Sequence, residues 1–161
     1  MKEAVEVGLG IIIAFLLYTI LGKISAAFLQ TFNVFTLVVV YFAIARGEIF
    51  GASIGTFCGL IQDSFSLGVF GVAGISNTIT GFLSGYIAGK INVTPFARNF
   101  VFIFFMTSVE LVLWLFLYSF IFSEGFNTGK GLIFFQPLIT AFLGSLIFLL
   151  LRRIKTKYGK E

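Results

Sequence analysis

The chain has 161 residues, 58% of them hydrophobic and 11% charged, which is more apolar surface than a soluble domain of this length can bury. Its net charge of +4 comes from basic residues set in short breaks between apolar runs and, five of the eleven, in Arg152 to Lys160 directly after the last run, a pattern that argues for a membrane and against nucleic acid. With no His, one Asp, one Cys and no GxxxxGK[ST] loop, the sequence excludes Ser-His-Asp and Cys-His chemistry, zinc and iron-sulfur sites, an aspartyl pair and a phosphate loop, so it predicts no enzyme, no cofactor and no metal.

Apolar runs broken by charged or turn residues predict spans at 4–22, 33–45, 48–62, 72–91, 99–122 and 132–151. The fold class that follows is an all-α polytopic membrane protein of about six transmembrane helices, with 1–161 as one integral membrane domain and 152–161 as its short basic tail. In the first run, Lys2 ahead of apolar sequence and Ser25-Ala26-Ala27 beyond it imitate a secretory signal. Glu3, Glu6 and the later spans predict a retained helix instead. Gly10 and Ala14 make a small-residue pair on it. The second run is short if it starts at Asn33, and 24–32 either joins it or forms an interfacial segment.

The third and fourth runs carry two ladders of glycine, Gly47, Gly51, Gly55 and Gly59, then Gly81, Gly85 and Gly89. Residues four apart share a helical face, so the ladders predict two helices with closely approaching backbones and an interface there. Cys58, among the glycines, reads as a small packing residue. Asp63 closes the first ladder and precedes Gly68 and Gly71, which predicts a tight outer turn whose N–H groups the carboxylate caps, or else a partner interface.

In the fifth run Glu110 is an acid near the middle of a span, where a charge costs about 2.5 to 3.5 kcal/mol unless partnered. Thr107, Glu110, Trp114 and Tyr118 recur at helical spacing and predict a stripe facing protein, with Thr56, Thr80, Ser84 and Thr140 as hydroxyl partners at similar depth. The carboxyl is either an ion, proton or ligand site, or a tie between helices or to a partner subunit. The absence of a second acid or base beside it favours the tie. The sixth run ends in Arg152, Arg153, Lys155, Lys157 and Lys160, which predict contact with anionic lipid, or docking to a cytoplasmic protein.

Loop charge sets the orientation. If both termini are cytoplasmic, Lys2, Arg46, Lys90, Arg98 and the five basic tail residues lie inside, against Lys23 and Lys130 outside. Asp63 and Glu124 then lie toward the outer side.

The run Tyr41-Phe42-Ala43-Ile44-Ala45-Arg46-Gly47, the glycines to Gly59, Gln62-Asp63, Gly68 through Gly71 and the stretch from Gly81 to Gly89 resemble the rod shape-determining membrane protein MreD family over about residues 41–91. The resemblance implies a non-catalytic scaffold subunit of the bacterial cell-elongation machinery, the elongasome, in the cytoplasmic (inner) membrane. It implies partnership with the bitopic protein MreC and, through it, with MreB, RodA and a class B penicillin-binding protein of peptidoglycan synthesis. One departure is Phe32-Asn33, where members of the family often have Pro-Asp at the entry to the second helix. The family's fold is also similar to the six-helix substrate-binding subunits of energy-coupling-factor vitamin transporters, so a solute-capture subunit is the alternative. Its outer pocket would draw on Asp63, Glu124, Asn127, Lys130 and Gln136, and Gly10 and Ala14 would dock the coupling protein.

Overall fold

The computed structural model of the chain describes residues 2–25, 31–65, 70–121 and 129–158. Among them are six α-helices and no strand: α1 (Lys2–Ile24), α2 (Val34–Arg46), α3 (Glu48–Phe65), α4 (Val72–Ala88), α5 (Phe96–Ile121) and α6 (Gln136–Tyr158), with a 3-10 turn over Gly129–Phe135 before α6. The expected spans and the helices coincide within a few residues at most ends. The sixth is displaced, since the 3-10 turn takes its first residues and α6 continues through the basic segment to Tyr158.

Three helical segments, Val5–Ile24, Phe96–Ile121 and Ile133–Arg153, are long and apolar enough to cross a membrane. The other expected spans fall short for identifiable reasons. Helix α2 is only 13 residues, a rise of about 20 Å against a hydrocarbon core of about 30 Å. Helices α3 and α4 dilute their apolar residues with Gly, Ser, Thr, Asn and Gln, and most of those small and polar groups face the interior.

Short as it is, α2 is the centre of the molecule and touches each of the other five helices. A run as uniformly apolar as Val-Phe-Thr-Leu-Val-Val-Val has no polar face to show water, and a helix apolar all round belongs in the interior. Its Val34, Phe35, Leu37, Val39, Val40, Phe42 and Ala43 are all buried. On one side Phe35, Val39 and Phe42 pack with Ala14, Ile54 and Cys58, and on the other Leu37 and Val40 pack with Phe102, Ile103, Met106 and Phe148. Asn33 starts the helix by accepting from the Thr36 N–H at 3.1 Å, and Gly47 ends it at φ +93°, a left-handed conformation that reverses the chain directly into α3.

Helix α1 lies at the periphery, with Leu9, Ile12, Ile13, Leu16 and Ile20 exposed. It is held through Ala14, through Gly10 against the Phe42 ring, and through Glu6, whose carboxylate pairs with Arg46 at 3.1 Å. That pair is exposed on the Glu6 side and adds little by itself.

The two ends of the bundle differ in charge. The antiparallel pairing of α2 with α3, α3 with α4, and α5 with α6 brings Arg46, Lys90, Arg98, Arg152 and Arg153 to one end. Asn33, Asp63 and Gln136 lie toward the other.

Candidate functional site

Helices α3 and α4 form the most extensive contact in the molecule, and glycine is why they can. A Cβ added at Gly51 would fall onto the Gly81 carbonyl, one at Gly55 onto the Asn77 carbonyl, and one at Gly59 onto the Ala73 carbonyl. At the last step a Cβ on Gly85 would meet the Gly47–Glu48 peptide. Each advance of four residues along α3 is thus answered by a retreat of four along α4, with backbone on backbone at every step. Backbones brought this close gain van der Waals contact along their whole length, the kind of packing by which small-residue faces join helices.

The ladders do not mesh glycine to glycine throughout. Gly55 and Gly59 face Asn77 and Ala73, which the sequence pattern did not single out. Gly89 sits in the exposed turn after α4, where an added Cβ would make only ordinary contacts with the Gly85 and Tyr86 carbonyls. Gly47 has open space where its Cβ would be, and its left-handed φ is what the position requires. Both differ from the packing role expected of them because α4 ends at Ala88 and α3 begins at Glu48.

Asp63, buried near the end of α3, organises the turn into α4. Its Oδ2 accepts from the Gly71 N–H at 2.9 Å and the Gly74 N–H at 3.0 Å, and its Oδ1 accepts from the Ala73 N–H at 3.0 Å. Three of the N–H groups that begin α4 are thereby satisfied by one carboxylate, which also complements the positive end of the helix dipole. Gly71, at φ +104°, lets the chain enter the helix over that carboxylate. Gly68 lies outside the described residues. Asp63→Ala should cost about 2 kcal/mol, the upper end for an N-cap, and Asp63→Asn about half as much, because the amide oxygen keeps part of the set. Denaturant unfolding in detergent measures both, and equal stability of Asp63→Ala and the parent would remove the cap from this account.

A buried polar cluster occupies the same half of the bundle. Glu110 on α5 is 2% exposed and accepts from Asn33 Nδ2 at 3.3 Å and from the Ser76 hydroxyl at 3.4 Å. The Asn33 N–H donates to Thr140 Oγ1 on α6 at 3.2 Å. From α2 the chain of contacts continues through the Thr36 hydroxyl, which donates to Asn77 Oδ1 at 2.9 Å, and Asn77 Nδ2, which donates to Gln62 Oε1 on α3 at 3.2 Å. Five helices are therefore tied at one level by polar groups that are buried within the bundle, apart from the half-buried Gln62.

The partners expected for Glu110 were only partly right. Thr140 reaches the cluster through Asn33. Thr56 instead pairs with Thr78 at 2.8 Å, while the Thr80 and Ser84 hydroxyls have no hydrogen-bond partner in the structure. Sequence reasoning missed Asn33, Ser76, Asn77 and Thr36. The signal for Asn33 was present, since Asn directly before an apolar run marks a helix start. Of the stripe on α5, Thr107 and Glu110 are buried, and Trp114 and Tyr118 are half-buried and stack on each other at 5.2 Å.

At the basic end the Arg152 guanidinium donates to the Thr94 carbonyl, joining the end of α6 to the approach to α5. The side chains of Lys155 and Lys157 lie outside the described residues, as do Glu124 and Asn127 and the Lys130 side chain. Of the outer residues considered for a solute pocket, Asp63 is engaged in capping and Gln136 is buried. Among the described residues no group of three His, Cys, Asp or Glu gathers that could hold a metal ion. Compared with known proteins, the chain matches no family model, no curated protein and no solved structure.

Proposed function

We propose that the chain is a multi-pass membrane scaffold subunit that works by binding other proteins and catalyses no reaction. Its acids of interest are committed to internal hydrogen bonds, and its outer faces carry large apolar side chains such as Ile49, Phe57, Phe105 and Phe120. A body whose polar groups are turned inward has its apolar helix faces left for recognition, and those faces suit lipid and the transmembrane helices of partners. The observation that carries this reading is the backbone-to-backbone packing of α3 on α4, which makes a rigid slab out of two helices too polar to stand alone in lipid.

The resemblance over residues 41–91 supplies the partners proposed: an MreC-like bitopic protein directly, and MreB, RodA and a class B penicillin-binding protein indirectly, in the bacterial cytoplasmic membrane with both termini inside. The basic end agrees in sign with that orientation. Purification of the tagged chain from its native membrane in gentle detergent, followed by mass spectrometry, tests it. Recovery of a single-span, largely extracytoplasmic protein together with wall synthases is the expected result. Recovery of paired ATPases with a coupling membrane protein would overturn it in favour of solute capture.

A further inference from the structure

We infer that the basic end carries a specific site for the head group of an anionic glycerophospholipid that also offers a hydroxyl, phosphatidylglycerol being the simplest. The inference rests on the multi-pass membrane reading above and not on the scaffold role. A cleft of roughly 200 Å³ lies between the start of α5 and the end of α6, lined by Thr94, Phe96, Asn99, Ser145, Arg152 and Arg153. Among the described residues its lining holds two guanidinium groups and no acid.

Three features converge on a phosphate there. Helix α5 begins at Phe96 and has no acidic residue in its first turn, so no carboxylate of that turn answers its N–H groups or the positive end of its dipole. Arg152 is fixed across the cleft by its bond to the Thr94 carbonyl, and Arg153 follows it. A planar guanidinium matches phosphate oxygens in pairs, which a lysine cannot do.

Asn99 supplies the second half of the argument. It is 3% exposed, it lines the cleft, and its Oδ1 has no hydrogen-bond partner in the structure. A buried acceptor left unpaired is costly, and a leucine would fill the space without that cost. A hydroxyl on the esterified head group, one ester linkage away from the phosphate, can donate to this oxygen while the phosphate rests on the two arginines and the helix start. Bulk attraction of a basic tail to anionic lipid accounts for the arginines but not for an amide held with its oxygen empty.

The test is thermal unfolding of the full-length protein in detergent, followed through the fluorescence of Trp114, with added phosphatidylglycerol, phosphatidic acid, phosphatidylcholine or soluble glycerol 3-phosphate. Phosphatidylglycerol should raise the Tm at concentrations where phosphatidylcholine does not, and should do so at least as well as the more highly charged phosphatidic acid. Arg153→Gln should weaken the apparent affinity about fivefold, as expected for one basic residue at the membrane surface. Asn99→Leu should leave the basal Tm equal or higher and reverse the order, so that phosphatidic acid outranks phosphatidylglycerol. Equal effects of phosphatidylglycerol and phosphatidylcholine would overturn the site, and phosphatidic acid leading in both parent and Asn99→Leu would overturn the role of the hydroxyl. Full stabilisation by glycerol 3-phosphate, lost in the same variants, would keep the phosphate site and overturn its lipid source. Alkaline carbonate washing of the same membranes separates these results from the premise, since release of the chain from the pellet would refute the membrane reading itself.

Discussion

The Gly55→Leu variant should lose about 3 kcal/mol or more of stability and fail to accumulate, because overpacking at this position has nowhere to go. The first added carbon already meets the Asn77 carbonyl and the Thr78 Cα, both of them backbone, so a rotamer change cannot relieve the clash. Helices α3 and α4 must separate, and with them the contacts at Gly51, Gly59 and Gly85 loosen together. The damage also spreads sideways, since the Asn77 side chain bonds both Thr36 and Gln62. Gly89→Leu is the control: the same substitution at a glycine of the second ladder should change stability by no more than about 0.5 kcal/mol, because its added carbon stays exposed at ordinary distances. Unfolding in denaturant, read by Trp114 fluorescence, compares the two. Similar losses in both would mean that glycine content, and not the contact, sets the cost. If the scaffold function is right, recovery of partners should fall with Gly55→Leu and persist with Gly89→Leu.

What the sequence revealed follows from what each feature depends on. Helix positions depend on local runs and breaks, and five of the six starts and ends were legible there. The 3-10 turn before α6 was not, because a span boundary in apolar sequence such as Leu132-Ile133-Phe134-Phe135 leaves no polar mark. The glycine contact was legible in kind, since spacing by four fixes a face. Its register was not, because which residue opposes Gly55 depends on where the turn at Asp63 sets α4 against α3. The position of α2 was the least legible feature: a run of 13 residues looks like an incomplete span, and only the assembled bundle shows it as the helix around which the others pack. The membership of the polar cluster was hidden for a related reason. Depth along a helix can be estimated from residue counts, but rotation cannot, so Thr80 and Ser84 looked suitable for Glu110 while Ser76, which the structure places against it, was missed.

Glu110→Leu should cost about 3 kcal/mol, while Glu110→Gln should cost about 1 kcal/mol or less. Leucine fills the volume but leaves Asn33 Nδ2 without the oxygen it addresses, inside a bundle where water does not replace it, and leaves the Ser76 hydroxyl only the Ala73 carbonyl at 3.3 Å. Glutamine keeps one oxygen for Asn33 and can donate to the Ser76 oxygen, so the tie among α2, α4 and α5 persists with its polarity reversed at one end. The same geometry explains why asparagine stands at the entry to α2. An aspartate there would keep the Thr36 cap but lose the amide donor and set a second carboxyl against Glu110, so Asn33→Asp should be as damaging as Glu110→Leu. Pairing the changes decides the matter: Glu110→Gln in the Asn33→Asp background should recover most of the loss, because an amide facing a carboxylate restores one donor and one acceptor. Unfolding of the four variants in detergent measures the coupling. Additive losses would show that the two side chains act separately. A severe loss in Glu110→Gln alone would show that the carboxyl does something an amide cannot, and would return Glu110 to consideration as an ion or proton site.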